Sequence, residues 1–173
     1  VRTLAANGTT TAGIFSSNHV DATNILCTEI SSRGLRAVVG KTSMDRNAPA
    51  PLCRDAELDK RDQLHLIEKW YKKNKLISYA LNPRFAISCT DGLLRALGDL
   101  KQRYPDLFVQ THFAENHEEI ATVKKLFPKS KNYLSVYDQY GLLSAETLLG
   151  HGIHPTADEL NLLATRSTAV VHC

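Results

Sequence analysis

The 173-residue chain is 43% hydrophobic and carries a net charge of +3, from 21 basic and 18 acidic side chains. That composition suffices for one sizeable core in one domain and excludes a disordered chain. Lysine-rich stretches at 72–75 and 124–131 lack interleaved aromatics and read as solvated helix faces, which speaks against a nucleic-acid surface.

Short β-branched or apolar runs alternate with longer segments of helical period, the pattern of a parallel sheet built from βα units. Six strands are predicted, at 9–15, 36–40, 76–81, 107–112, 147–152 and 168–173. After the first, Ile25, Leu26 and Ile30 form an apolar stripe, with Asp21 as the expected N-cap and Gly34 just past the C-terminus. Residues 45–59, with Pro49 and Pro51, read as a long loop. Leu66, Ile67, Trp70 and Tyr71 mark the next helix, Leu93, Leu94, Leu97 and Leu100 another, and Ile120, Val123 and Leu126 a fourth. Thr156 followed by Glu159 is a capping box that opens the last helix through Leu160 and Leu163.

Residues 3–20 carry no charge but are rich in Thr, Ser and Asn, so they form neither a membrane span nor a signal-peptide core. Cys27, Cys53, Cys89 and Cys173 have no CxxC spacing, so neither a zinc ribbon nor a disulfide framework is suggested, and a reducing cytoplasm is the simpler setting. A (β/α)₈ barrel needs roughly 200 residues or more and eight strands, whereas an open doubly wound sheet is complete with five or six, so size alone favours the open sheet. Against that, the chain begins with Val1 and stops on a strand at Cys173, which reads as a piece of something larger.

Polar residues gather at the C-terminal ends of the predicted strands. "SSNHVD" with His19 follows the first, "KTSMDRN" the second, "NPRF" the third, His112 and Glu115 the fourth and His151 the fifth. In parallel α/β folds these ends form one mouth where ligands bind. Each residue alone has a plain structural reading: a strand-end histidine is commonly just hydrogen-bonded, Arg84 could pair with a surface carboxylate and Phe85 could be core. His65, His117 and His154 read as solvated. Position lifts the set, because two strand-end histidines with a carboxylate one turn from the first suit a site in which metal and base meet the same water.

"NGTTTA" at 7–12, "NPRF" at 82–85, "THFAEN" at 111–116, "KNYLSVYDQYGLL" at 131–143 and "GHG" at 150–152 resemble, in order and spacing, the guanine deaminases of the amidohydrolase superfamily. The resemblance runs over nearly the whole chain. It implies a TIM-like (β/α) barrel of the metal-dependent hydrolase type with zinc at the strand C-termini, and zinc-dependent hydrolysis of guanine to xanthine and ammonia. His112 carries over as a zinc ligand in contact with substrate. Glu115 carries over as the acid/base carboxylate, also facing the substrate, and His151 as a histidine that holds the attacking water and approaches the metal. Arg84 and Phe85 resemble the pair that meets the guanine carbonyl and ring. A homodimer is the family's usual assembly.

The family's H-x-H pair on the first strand and its aspartate on the eighth have no counterpart here. The resemblance therefore casts residues 1–173 as a single partial barrel domain, about strands two to seven, inactive by itself. Two other readings stand beside it: a related amidohydrolase acting on another nucleobase or a triazine, and a non-catalytic barrel scaffold that lost its metal.

Overall fold

The computed structural model describes residues 1–173. Six strands lie in one parallel sheet in the order of the sequence: β1 (Thr11–Phe15), β2 (Arg36–Gly40), β4 (Ile77–Pro83), β5 (Phe108–Phe113), β6 (Thr147–His151) and β7 (Ala169–Val171). A two-residue strand, β3 (Thr42–Ser43), pairs with the end of β4. All six predicted strands are present, with no end displaced by more than two residues.

Nowhere does the strand order reverse, so the crevice that defines a doubly wound sheet is absent. The sheet is instead strongly curved. On β5, the Gln110 amide nitrogen lies 3.4 Å from the Ile14 carbonyl of β1, three strands away in sheet order. In a flat sheet three strand spacings measure about 14 Å, farther than one side chain reaches. The six strands thus form an arc of barrel wall, an incomplete barrel.

Residue parity explains the two faces. Ala37, Val39, Ile77, Tyr79, Leu81 and Val109 alternate toward the helices and belong to one apolar cluster of 31 buried residues. Each large aliphatic or aromatic side chain so buried contributes about 1.5–3 kcal/mol. The concave face has small or polar residues, including Gly13, Gly40, Asn82 and Gln110. A Cβ on Gly40 would meet the Ala80 carbonyl at 2.2 Å, so only glycine permits this curvature at the β2–β4 contact.

Helices α2 (Val20–Ser32), α3 (Ala56–Trp70), α4 (Asp91–Arg103), α5 (His117–Leu126) and α7 (Ala157–Arg166) match the predicted stripes, and the Thr156–Glu159 capping box is formed. Two details differ. His19, not Asp21, is the N-cap of α2, and Asp21 lies inside the first turn, where its charge still complements the helix dipole. Ile25 is 65% exposed; the buried face of α2 is Thr23, Cys27 and Ile30. Helix α1 (Arg2–Ala6) precedes β1, and one helix was not expected, α6 (Tyr133–Asp138). The loop of 45–59 is shorter than expected, because Asp55 caps α3 by accepting from the Glu57 and Leu58 amides. No helix is long and apolar enough to cross a membrane.

Candidate active site

The β4 strand ends at Pro83, which cannot extend the ladder, and the next residue faces the mouth. Arg84 is exposed there, its guanidinium carbon 5.4 Å from the centre of the Phe85 ring. Its carbonyl turns the other way and is shared. It accepts from the backbone amide of His112 at 3.3 Å and contacts the His112 Nδ1 at 2.5 Å. A carbonyl can only accept, so Nδ1 carries the hydrogen, and in the neutral imidazole Nε2 is then the nitrogen with the lone pair. One residue therefore presents a cation to the cleft and fixes the tautomer of its neighbour.

On β5, Gln110 and His112 have inward parity and Phe113 is buried outward. Ala114 then adopts a left-handed conformation, φ 49°, and its carbonyl accepts from the amides of Ile153 and His154, both at 3.1 Å. That turn brings Glu115 back over the mouth before Asn116 caps α5 through the Glu119 amide.

Strand register places His151 opposite Phe113, on the outward parity. Its φ of 75° reverses that direction, and the imidazole lies in the cleft, 18% exposed, stacked on His112 with ring centres 5.5 Å apart. A non-glycine residue in this region costs about 1–2 kcal/mol, a strain concentrated at functional positions. The His151 Nε2 lies 3.6 Å from the Glu115 Oε2. Arg84, Phe85, His112, Glu115 and His151 together line one cleft of about 280 Å³. These are the five site residues expected from the sequence, and the fold brings all of them together.

Other expected mouth residues divide. His19 is exposed in an adjoining cleft of about 250 Å³ that shares Arg84 and His112. Lys41, from "KTSMDRN", is a correction: it has outward parity and is fully buried against α3. Asp45 from the same run accepts from the Thr90 amide at 2.8 Å instead of facing the cleft. His117 is exposed, as expected, and its ring stacks on that of the half-buried His154 with centres 4.1 Å apart. Phe15, which sequence reasoning overlooked, packs on His112 with ring centres 4.7 Å apart. Its alternation with Gly13 on β1 was the available signal.

No group of three or more His, Cys, Asp or Glu side chains is clustered to hold a metal. The cleft does offer part of a ligand set: His112 with Nδ1 engaged and Nε2 free, and His151 stacked beside it. Hydrogen bonding of the far imidazole nitrogen is the usual arrangement behind a zinc-binding histidine.

Comparison with known proteins supplies a context for this geometry. The mouse (Mus musculus) guanine deaminase is 38% identical over 175 residues, covering 100% of this chain and 38% of that protein. The crystal structure of a guanine deaminase from C. acetobutylicum, with guanine bound in its active site, superposes with a TM-score of 0.95 at 38% identity, over 99% of this chain and 41% of that one. A triazine hydrolase variant, at 18% identity and a TM-score of 0.84 over 99% of this chain and 40% of that one, shares the fold alone. The chain thus spans about 38% of the length of the mouse protein. The Amidohydrolase family matches residues 1–173 throughout, and the chain belongs to that family.

Proposed function

We propose that the complete protein carrying residues 1–173 is a zinc-dependent guanine deaminase, and that this chain contributes six strands of the wall of its barrel domain. The observation that carries the reading is the single cleft of Arg84, Phe85, His112, Glu115 and His151. Similarity to guanine deaminases over the whole chain supports it.

His112, through Nε2, and His151 would hold the zinc side of the cleft, with further ligands completing the set of at least three that catalytic zinc uses. Bound zinc lowers the pKa of its water to about 7 and so supplies a nucleophile at neutral pH. Glu115, half exposed at the rim, takes the proton of the attacking water and passes it to the purine and then to the departing amine. The water oxygen becomes bonded to the amino-bearing carbon, the C–N bond breaks, and xanthine and ammonia leave. Arg84 donates to the purine carbonyl, and the Phe85 ring gives the flat base a face to stack on. An arginine placed this way favours guanine over a triazine, which would leave its donors unpaired. The same reading extends to a homodimer in the cytoplasm.

The test is to assay the complete protein for xanthine and ammonia from guanine before and after zinc is stripped by a chelator. Activity lost on stripping and restored by zinc is expected. Stoichiometric zinc without xanthine formation would overturn the reading.

A further inference from the structure

Beneath the cleft, three buried side chains touch the backbone of the residues that line it. Tyr133, Tyr137 and Glu119 are 4%, 0% and 6% exposed. The Tyr137 hydroxyl donates to the His112 carbonyl at 2.8 Å and accepts from the Ala86 amide at 2.9 Å and from the Thr111 hydroxyl at 3.1 Å. Ala86 lies two residues beyond Arg84. One hydroxyl therefore joins the Arg84–Phe85 segment to His112. The Tyr133 hydroxyl donates to Glu119 Oε1 at 2.5 Å, and Glu119 Oε2 accepts from the Glu115 amide at 2.9 Å. The two halves meet, since the tyrosine hydroxyls are 3.4 Å apart and that of Tyr133 lies 3.3 Å from the His112 carbonyl.

Packing alone does not account for this. Phenylalanine rings would fill the same space, and α5 already has Asn116 as its N-cap, so a second buried carboxylate is not needed to start that helix. A buried carboxylate is costly unless its oxygens are satisfied, and here one accepts from the Glu115 amide and the other from the Tyr133 hydroxyl. Burial keeps both phenols well above their ordinary range, so each remains an O–H donor. The platform is itself anchored: α6 begins where its Leu134 amide donates to Glu159 Oε1 at 3.0 Å, the same carboxylate that closes the capping box of α7.

We propose that Tyr137, Tyr133 and Glu119 are positioning residues that divide the work of the cleft. Tyr137 sets the substrate-binding segment Arg84–Phe85 against His112, and the Tyr133–Glu119 pair sets Glu115 against the same His112. This rests on the guanine deaminase reading for its kinetic consequences, and on hydrogen bonding alone for its structural ones.

The experiment compares Tyr137→Phe, Tyr133→Phe and Glu119→Gln in the complete protein by steady-state kinetics with guanine, zinc affinity against a competing chelator, and amide hydrogen exchange at Ala86 and Glu115. Loss of an outer hydrogen-bond partner of a metal-site residue typically costs about 10–100-fold in affinity or activity. For Tyr137→Phe, KM is expected to rise, zinc to be held about tenfold more weakly, and exchange to quicken at Ala86 but not at Glu115. Tyr133→Phe is expected to lower kcat about tenfold with KM unchanged and to quicken exchange at Glu115 but not at Ala86. Glu119→Gln reads the second link without altering aromatic packing and keeps one amide acceptor, so its kcat is expected between those of wild type and Tyr133→Phe. Equal effects of the tyrosine variants on both amides, or a fall in overall stability with exchange at both sites and kinetic parameters preserved, would overturn the proposal and leave the tyrosines as core. If the wild-type protein failed to hydrolyse guanine, the functional reading would fall, while the exchange pattern would still decide the positioning claim.

Discussion

Two residues at strand ends, Lys41 after β2 and His112 on β5, look alike in the sequence and have opposite fates. Lys41 continues the outward parity of Ala37 and Val39, so it enters the layer between sheet and α3, where it is fully buried. It pairs there with Asp59, whose second oxygen accepts from the Ser43 hydroxyl at 2.6 Å. Gln63 donates to the Lys41 carbonyl at 3.1 Å and to Ser43 at 2.9 Å, and the Tyr79 hydroxyl donates to Gln63 at 2.7 Å. Burial pushes the Asp59 carboxyl up, and the Lys41 ammonium and Ser43 hydroxyl pull it back. His112 shares the inward parity of Gln110 and opens on the mouth with one nitrogen free. The layer satisfies every buried polar side-chain atom; the mouth keeps exposed charge and left-handed backbone at Ala114 and His151. Polar residues at strand ends reach the mouth only when parity, or a break in it, aims them inward.

If that division is right, substitutions at the mouth change chemistry and those in the layer change stability. On the guanine deaminase reading, the largest effect is expected from Arg84→Met in the complete protein, which should erode the proposed preference for guanine over adenine-type substrates by up to about 10⁴-fold. Melting should scarcely move, because Arg84 is exposed. Competition assays with both purines check this, and an unchanged ratio would make Arg84 structural. Lys41→Met leaves Asp59 buried without its partner and should destabilise by about 3–5 kcal/mol, read as a lower urea midpoint. Adding Asp59→Leu should recover much of that loss, since an apolar pair of similar volume can replace a buried ion pair. A smaller effect is expected from Thr156→Ala, which removes the hydroxyl that caps α7 and should lower stability by about 1 kcal/mol in the same titration. Turnover per folded molecule should be unchanged in the last two variants.

Much of this was legible in the residues. The strands follow from β-branched runs, the α7 start from its capping box, and the five cleft residues from motifs that fall at strand ends. What escaped has identifiable causes. The α6 helix is only six residues long, too short for its period to show, and its tyrosines are buried on account of hydroxyl partners that lie elsewhere in the chain. Ile25 follows the apolar stripe but not the buried face, because α2 turns Cys27 and Ile30 to the sheet. Lys41 was misplaced because a strand-end lysine gives no hint of Asp59 on the following helix, although "RAVVGK", read by parity, puts it with Ala37 and Val39. The reversal at His151 is invisible to parity altogether, since it depends on a positive φ.

The role proposed for Glu115 is to move protons in the cleft without holding the metal. Its most direct test is Glu115→Gln in the complete protein, with bound zinc and xanthine formation measured on the same preparation. The amide cannot accept the proton of water, and Glu115 is half exposed, so zinc content and melting should match wild type. Turnover should fall about 10²–10⁴-fold. Guanine hydrolysis close to the wild-type rate, with zinc in place, would contradict the assignment.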